Sequence, residues 1–271
     1  MTTMRATRQT VRHAATGTGS RVLARAGLVA RGVIYLLIGW VALMLALGKS
    51  NQEADQRGAL QILASKPHGS LLLWLVAGGF AAYSLWRLSE AAFGVTGERP
   101  GAGPRIKSLA RGVIYAFFAV MTVGVIKGSE GSQTQKQQDY TARIMRHGGG
   151  RWAVGIIGAI VLVVGLMLVV EGLQRKFEKL LRTDQMSART HRVVRMLGTI
   201  GTVARGLVFA VAGALVIDAA KTYNASKARG LDGALRTLRD RAFGPYILGA
   251  AAIGLIMFGL YGLCEARWRK V

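Results

Sequence analysis

The sequence predicts an all-α integral membrane protein, with six transmembrane helices set out as three tandem αα-hairpin repeats in a pseudo-threefold arrangement. Three observations carry this expectation. An Ala-Arg-Gly triplet opens a long apolar run at Arg31, Arg111 and Arg205, and a glutamate closes the run that follows at Glu90, Glu171 and Glu265. The separations of 59, 60 and 60 residues define an internal repeat of a two-helix unit. The 271-residue chain is 51 % hydrophobic yet carries a formal net charge of +23. Finally, the charges avoid six stretches: Gly32 to Gly48, Leu71 to Trp86, Gly112 to Ile126, Trp152 to Val170, Gly206 to Ile217 and Ala242 to Cys264. A helix needs about 20 mostly apolar residues to cross a hydrocarbon core of roughly 30 Å. The shorter runs gain length from uncharged flanks such as Ala26 to Ala30 and Met196 to Ala204. Backbone groups in lipid must bond within their own segment, which leaves helices for runs of this length.

In chain order, residues 1–25 form a basic tail, and the repeat units span 26–93, 106–174 and 196–268. The first run belongs to the repeat and is read as retained, not as a cleaved signal peptide. Each unit has a glycine 21 residues before its glutamate (Gly69, Gly150, Gly244), at the start of the second helix. The aromatics Trp74, Trp152 and Tyr246 follow, where rings with a polar handle suit a membrane–water boundary. Nearer the glutamate, Tyr83 and Trp86 of the first unit match Phe258 and Tyr261 of the third, whereas the second has Val164 and Met167. Tyr35, Tyr115 and Phe209 lie four residues after the repeat arginines, on the same helix face. Between the two helices of a unit, short helical segments are expected, with Asp139 and Asp232 in the N-cap position. The segment from Gly172 to Arg182 is expected to prolong the fourth spanning helix along the headgroups. All four prolines fall in connections or at a helix start.

Six spans place the N-terminal tail, the second and fourth connections and the C-terminal tail on one side. That side holds 22 Lys and Arg against 14 on the other, so the positive-inside rule puts both termini in the cytoplasm. The basic residues line the edges of apolar runs instead of clustering on a soluble element, which argues against nucleic acid as the partner. Anionic lipid headgroups are the expected partner, at about 1 kcal/mol per basic residue near the surface. Candidate contacts are Arg175, Lys176, Lys179 and Arg182. Other membrane proteins are a second class of partner.

Within each unit the arginine begins one helix and the glutamate ends the next, so both lie at the same membrane boundary. Opposite charges in a partly desolvated layer should pair. The expectation is three Arg–Glu clamps, within a unit or between neighbours, drawn from Arg31, Glu90, Arg111, Glu171, Arg205 and Glu265. The functional alternative makes the glutamates a ring at the mouth of a cation path. No ionisable residue lies in the middle of a span, which disfavours a proton-coupled carrier. The sequence has no Gly-x-Ser-x-Gly elbow, no phosphate-cradling loop, no metal-binding histidine spacing and one cysteine, Cys264. No catalytic residue, metal or cofactor is assigned.

Ala-Arg-Gly-Val-Ile-Tyr at 30–35 and 110–115, Ala-Arg-Gly-Leu-Val-Phe at 204–209, Tyr-Ser-Leu-Trp-Arg-Leu-Ser-Glu-Ala at 83–91 and Phe-Gly-Leu-Tyr-Gly-Leu-Cys-Glu-Ala-Arg at 258–267 together resemble the domain of unknown function 1206 family. The resemblance implies a bacterial membrane protein of three tandem two-helix units, and supplies no reaction, ligand or site residue. The expected role is a non-enzymatic accessory or scaffold component of the bacterial inner membrane. The alternative is a small-solute or ion conduit along the pseudo-threefold axis.

Overall fold

The computed structural model describes residues 18–49, 52–94, 101–128, 132–240 and 242–270. Most of the basic tail and Pro100 therefore lie outside the described residues. The helices are α1 (Thr18–Ala46), α2 (Gln56–Ala64), α3 (Gly69–Phe93), α4 (Ala102–Ile126), α5 (Gln133–Met145), α6 (Gly150–Leu173), α7 (Ala188–Lys221), α8 (Leu231–Arg239) and α9 (Gly244–Trp268). Short 3-10 turns interrupt the connections, and no strand forms among the described residues. Six of these helices (α1, α3, α4, α6, α7 and α9) are long and apolar enough to cross a membrane. They alternate in direction. One face of the bundle, here the proximal face, holds the start of α1 and the end of α9. The distal face holds the short helices α2, α5 and α8.

The repeat glycine before each second helix has a steric reason. The residue ahead of it adopts a left-handed conformation each time: His68 (φ 61°), Gly149 (φ 81°) and Phe243 (φ 58°). This turns the chain sharply from the short distal helix into the spanning one. A Cβ on Gly69, Gly150 or Gly244 would sit 2.4, 1.8 or 1.5 Å from the carbonyl oxygen of Ala64, Ile144 or Arg239. Only a residue without a side chain fits against the C-terminal carbonyls of the short helix.

The glycine of each Ala-Arg-Gly triplet has a second role, at the junctions between units. The spanning helices pack most closely across these junctions, as α3 with α4, α6 with α7 and α9 with α1, and less closely within units as α1 with α3 and α7 with α9. At each close junction the triplet glycine meets the residue six before the preceding unit's glutamate. A Cβ on Gly206 would lie 2.8 Å from Gly165 O, and one on Gly32 would lie 2.9 Å from Gly259 O. In the remaining junction the small residue is Ser84, whose hydroxyl donates to Gly112 O at 2.8 Å. Small residues let backbones approach, the main way helices gain van der Waals contact where lipid is as apolar as leucine.

The regularity stops in the second unit, because α4 and α6 barely touch. Only 17 % of the most apolar stretch of α4 and of α6 is buried, against 44–56 % in the other four spanning helices. This accounts for the aromatic pair missing from the second unit: Val164 and Met167 face outward, whereas Tyr83, Trp86, Phe258 and Tyr261 are in the core.

Two local expectations are corrected. Ser132, not Asp139, caps α5, accepting the Gln135 N–H at 3.0 Å, and Asp139 lies within the helix. Asp232 stands in the first turn of α8, which Gly230 precedes as the cap residue. Its carboxylate instead accepts the Ala54 N–H at 2.9 Å and pairs with Arg236 at 2.8 Å, tying the first connection to the third unit. The carboxylate that does cap a distal helix is Asp55, which accepts the Gly58 N–H at 3.0 Å. The segment after Gly172 does not prolong α6. The helix ends at Leu173, Arg175 turns left-handed (φ 54°), and a 3-10 turn over Lys176–Leu180 follows. The driving force is burial of Phe177 and Leu181, which are 4 % and 1 % exposed. Phe177 packs edge-on against Tyr261 at 5.1 Å, and Leu181 pairs with Arg269 in an isolated bridge.

Candidate functional site

The repeat arginines and glutamates converge on the proximal face, but the ion pairs do not follow the repeat. Arg31 on α1 pairs with Glu265 on α9, joining the first unit to the third. Glu265 also takes Arg269, one turn further along. Glu90 is held by Arg87 of its own helix at 2.6 Å and accepts the Ser108 hydroxyl at 3.2 Å. Arg111, Glu171 and Arg205 form no ion pair among the described residues. One clamp between repeat residues thus stands where three were expected. The physical reason is reach. The spacings Arg87 to Glu90 and Glu265 to Arg269 put a guanidinium beside each carboxylate on the same helix surface, and the separation of α4 from α6 leaves no junction between Arg111 and Glu171.

Aromatic rings line the cations. The Arg87 guanidinium, 2 % exposed, donates two hydrogen bonds to the Tyr83 hydroxyl at 3.0 and 2.8 Å and lies 4.3 Å from the Trp86 ring centre. The other side of this cluster is Arg269, 5.3 Å from Trp86. Arg205 sits among Phe258 at 4.8 Å, Tyr35 at 5.2 Å and Phe209 at 5.2 Å. A desolvated cation–π contact is worth about 2 kcal/mol, so three faces offset much of the cost of a guanidinium without a carboxylate. Of the three repeat pairs Arg31–Tyr35, Arg111–Tyr115 and Arg205–Phe209, the last alone makes a cation–π contact among the described residues; Arg31 lies over Phe258 instead. Sequence reasoning passed over Arg87 and Arg269. Their spacing of three and four from the glutamates was the available signal.

Of the candidate headgroup contacts, Arg175, Lys176 and Lys179 are exposed and Arg182 is half-buried. At the opposite end of the protein, Asp55 is 2 % exposed near Glu53 and Asp232; burial, with these like charges adding to it, raises its carboxyl to about 7.

Six membrane-crossing helices in three tandem two-helix units, closed by cross-unit packing and a buried proximal charge cluster, define a multipass helical membrane protein. The chain belongs to the family described as Domain of Unknown Function (DUF1206), whose model matches residues 26–94, 106–175 and 200–269. It is 30 % identical over 250 residues to the uncharacterized protein YxxB of Bacillus subtilis (strain 168), a match covering 91 % of this chain and 90 % of the relative. No solved structure matches it significantly.

Proposed function

We propose that the protein is a non-enzymatic accessory or scaffold component of the bacterial inner membrane, with both termini in the cytoplasm and with lipids and other membrane proteins as its partners. The filled interior of the bundle is the observation that carries this reading. Ile34, Ile38, Leu45, Phe80, Leu248 and Leu255 are each no more than 2 % exposed and belong to one apolar cluster. Tyr115 joins them, its ring 4.4 Å from Tyr83 and 5.6 Å from Phe80. A conduit along the bundle axis would need a polar, wettable path through this packing. At the proximal end it would also have to cross the Arg31–Glu265–Arg269 knot. The exposed Arg175, Lys176 and Lys179 support contact with anionic headgroups on the cytoplasmic side, and the excess of basic residues on the proximal face supports the orientation.

Solute and ion flux into liposomes is the test. Reconstituted protein should leak small neutral solutes, K⁺ and H⁺ no faster than protein-free vesicles. Mild-detergent purification should co-isolate lipids or membrane proteins. A saturable flux that Glu265→Ala alters would overturn the accessory reading in favour of a conduit.

A further inference from the structure

The place where α4 and α6 part is not filled by protein. A cavity of about 720 Å³ lies there, in the distal half of the spanning region. Its walls come from Phe117 to Gly124 on α4, Val154 to Val161 on α6 and Phe209 to Val216 on α7. Seven helical steps span about 10 Å along the axis, so the apolar part is as deep as a good fraction of one leaflet. Phe117, Val120 and Ile157 on its walls are also 49–71 % exposed, so the cavity opens sideways to the surroundings of the bundle. For a membrane protein those surroundings are acyl chains. The volume lies in the range of sites that hold one small molecule.

The distal end of the cavity is chemically different. Helix α5 forms a roof there, and it is pinned to other parts of the chain. The Gln133 N–H donates to Glu53 at 3.1 Å, Gln138 donates to Ser226 O at 2.7 Å, and the Tyr223 hydroxyl donates to Met145 O at 2.7 Å. From this fixed roof Gln133, Lys136 and Gln137 line the opening, with Arg57 of α2 beside them. Gln133 Oε1 is fully buried and has no hydrogen-bond partner among the described residues. A buried acceptor left without a donor is costly, and the residue that carries it is one of those lining the cavity. Lys136 is exposed and cationic in the same place.

We propose that this cavity binds one glycerophospholipid. One acyl chain lies between α4 and α6 against Phe117 and Val161. The phosphate sits near Lys136, and a headgroup hydroxyl or amine donates to Gln133 Oε1. Both halves of the headgroup requirement come from the wall: a cation asks for phosphate, and an orphaned acceptor asks for an N–H or O–H. Phosphatidylglycerol and phosphatidylethanolamine carry both groups, phosphatidylcholine lacks the donor and diacylglycerol lacks the phosphate.

This site extends the accessory reading, and its test stands apart from the flux measurement. Delipidated protein in mild detergent is titrated with each of the four lipids, and bound molecules are counted by native mass spectrometry. One phosphatidylglycerol or phosphatidylethanolamine should bind per chain about tenfold more tightly than phosphatidylcholine, and diacylglycerol more weakly still. Excess glycerol 3-phosphate should not compete, since the chain contributes the apolar contacts; competition would overturn the lipid in favour of a soluble phosphate ligand. Gln133→Leu should bring phosphatidylglycerol down to the phosphatidylcholine level, and Val161→Trp, which narrows the cavity, should remove the tight site. Equal binding of all four lipids, or an unchanged preference in Gln133→Leu, overturns the proposal. If Val161→Trp does not fold, Gln133→Leu on the distal roof still decides the matter. A protein that is silent in flux but indifferent to headgroup would sink this site and leave the accessory role standing.

Discussion

Removing the carboxylate of Glu265 tests how the proximal face is held together. Glu265 is 3 % exposed and receives Arg31 from α1 and Arg269 from its own helix. Glu265→Ala leaves two guanidiniums facing each other with side chains 12 % and 7 % exposed. Breaking a buried pair by deleting one partner costs about 3–5 kcal/mol, because the charge left behind is uncompensated. The α9–α1 junction should weaken by that amount, which corresponds to a fall in melting temperature on the order of 10 °C. The assay is thermal unfolding in mild detergent, followed by size-exclusion chromatography of the heated samples. A double-mutant cycle sharpens it. Arg31→Ala with Glu265→Ala should cost at least ~2 kcal/mol less than the two single losses summed, whereas Arg31→Ala with Glu90→Ala should add within about 0.5 kcal/mol. Coupling to Glu90 in place of Glu265, or a Glu265→Ala protein within about 1 kcal/mol of the parent, would refute the reasoning.

Two further outcomes follow from the packing and the distal carboxylate. Gly165→Val places a Cβ 2.4 Å from the Ala210 nitrogen and 2.8 Å from Gly206 O, backbone atoms that cannot move aside unless α6 and α7 separate. It should lower the melting temperature sharply, while Gly78→Ala, which meets nothing within 4 Å, should leave it unchanged or slightly raised. Asp55 holds its proton to about pH 7 in the folded protein, against an ordinary value of 3.8. Between those values the folded state binds a proton that the unfolded chain has released, so the Asp55 contribution to stability is greatest at the acid side, falls as pH rises through this window and is flat above it. Asp55→Asn keeps a capping acceptor for Gly58. The difference in melting temperature between Asp55→Asn and the parent should therefore grow in the variant's favour from pH 5 to pH 8; a difference independent of pH would mean the carboxyl is not buried as described.

The sequence by itself determined the spanning helices, their number and their grouping in three units. Those properties are local or periodic: a charge-free run of sufficient length has one low-energy form in lipid, and three Ala-Arg-Gly triplets, each followed 59 or 60 residues later by a glutamate, repeat that form. The glycines Gly69, Gly150 and Gly244 were visible as helix starts for the same reason, since a sharp corner needs a residue without a Cβ wherever it occurs. Tertiary structure decided the choice of partner. Whether Arg31 meets Glu90 or Glu265 depends on which helix end comes to lie beside α1, and that was set by the close approach of Gly32 to Gly259, a contact 227 positions apart that no spacing rule announces. The break at Arg175 likewise followed from where Phe177 could be buried, against Tyr261. The opening between α4 and α6 came from an absence of packing within the second unit. Sequence periodicity shows which faces are apolar, and apolar faces suit lipid and protein alike; only the assembled bundle sorts one from the other.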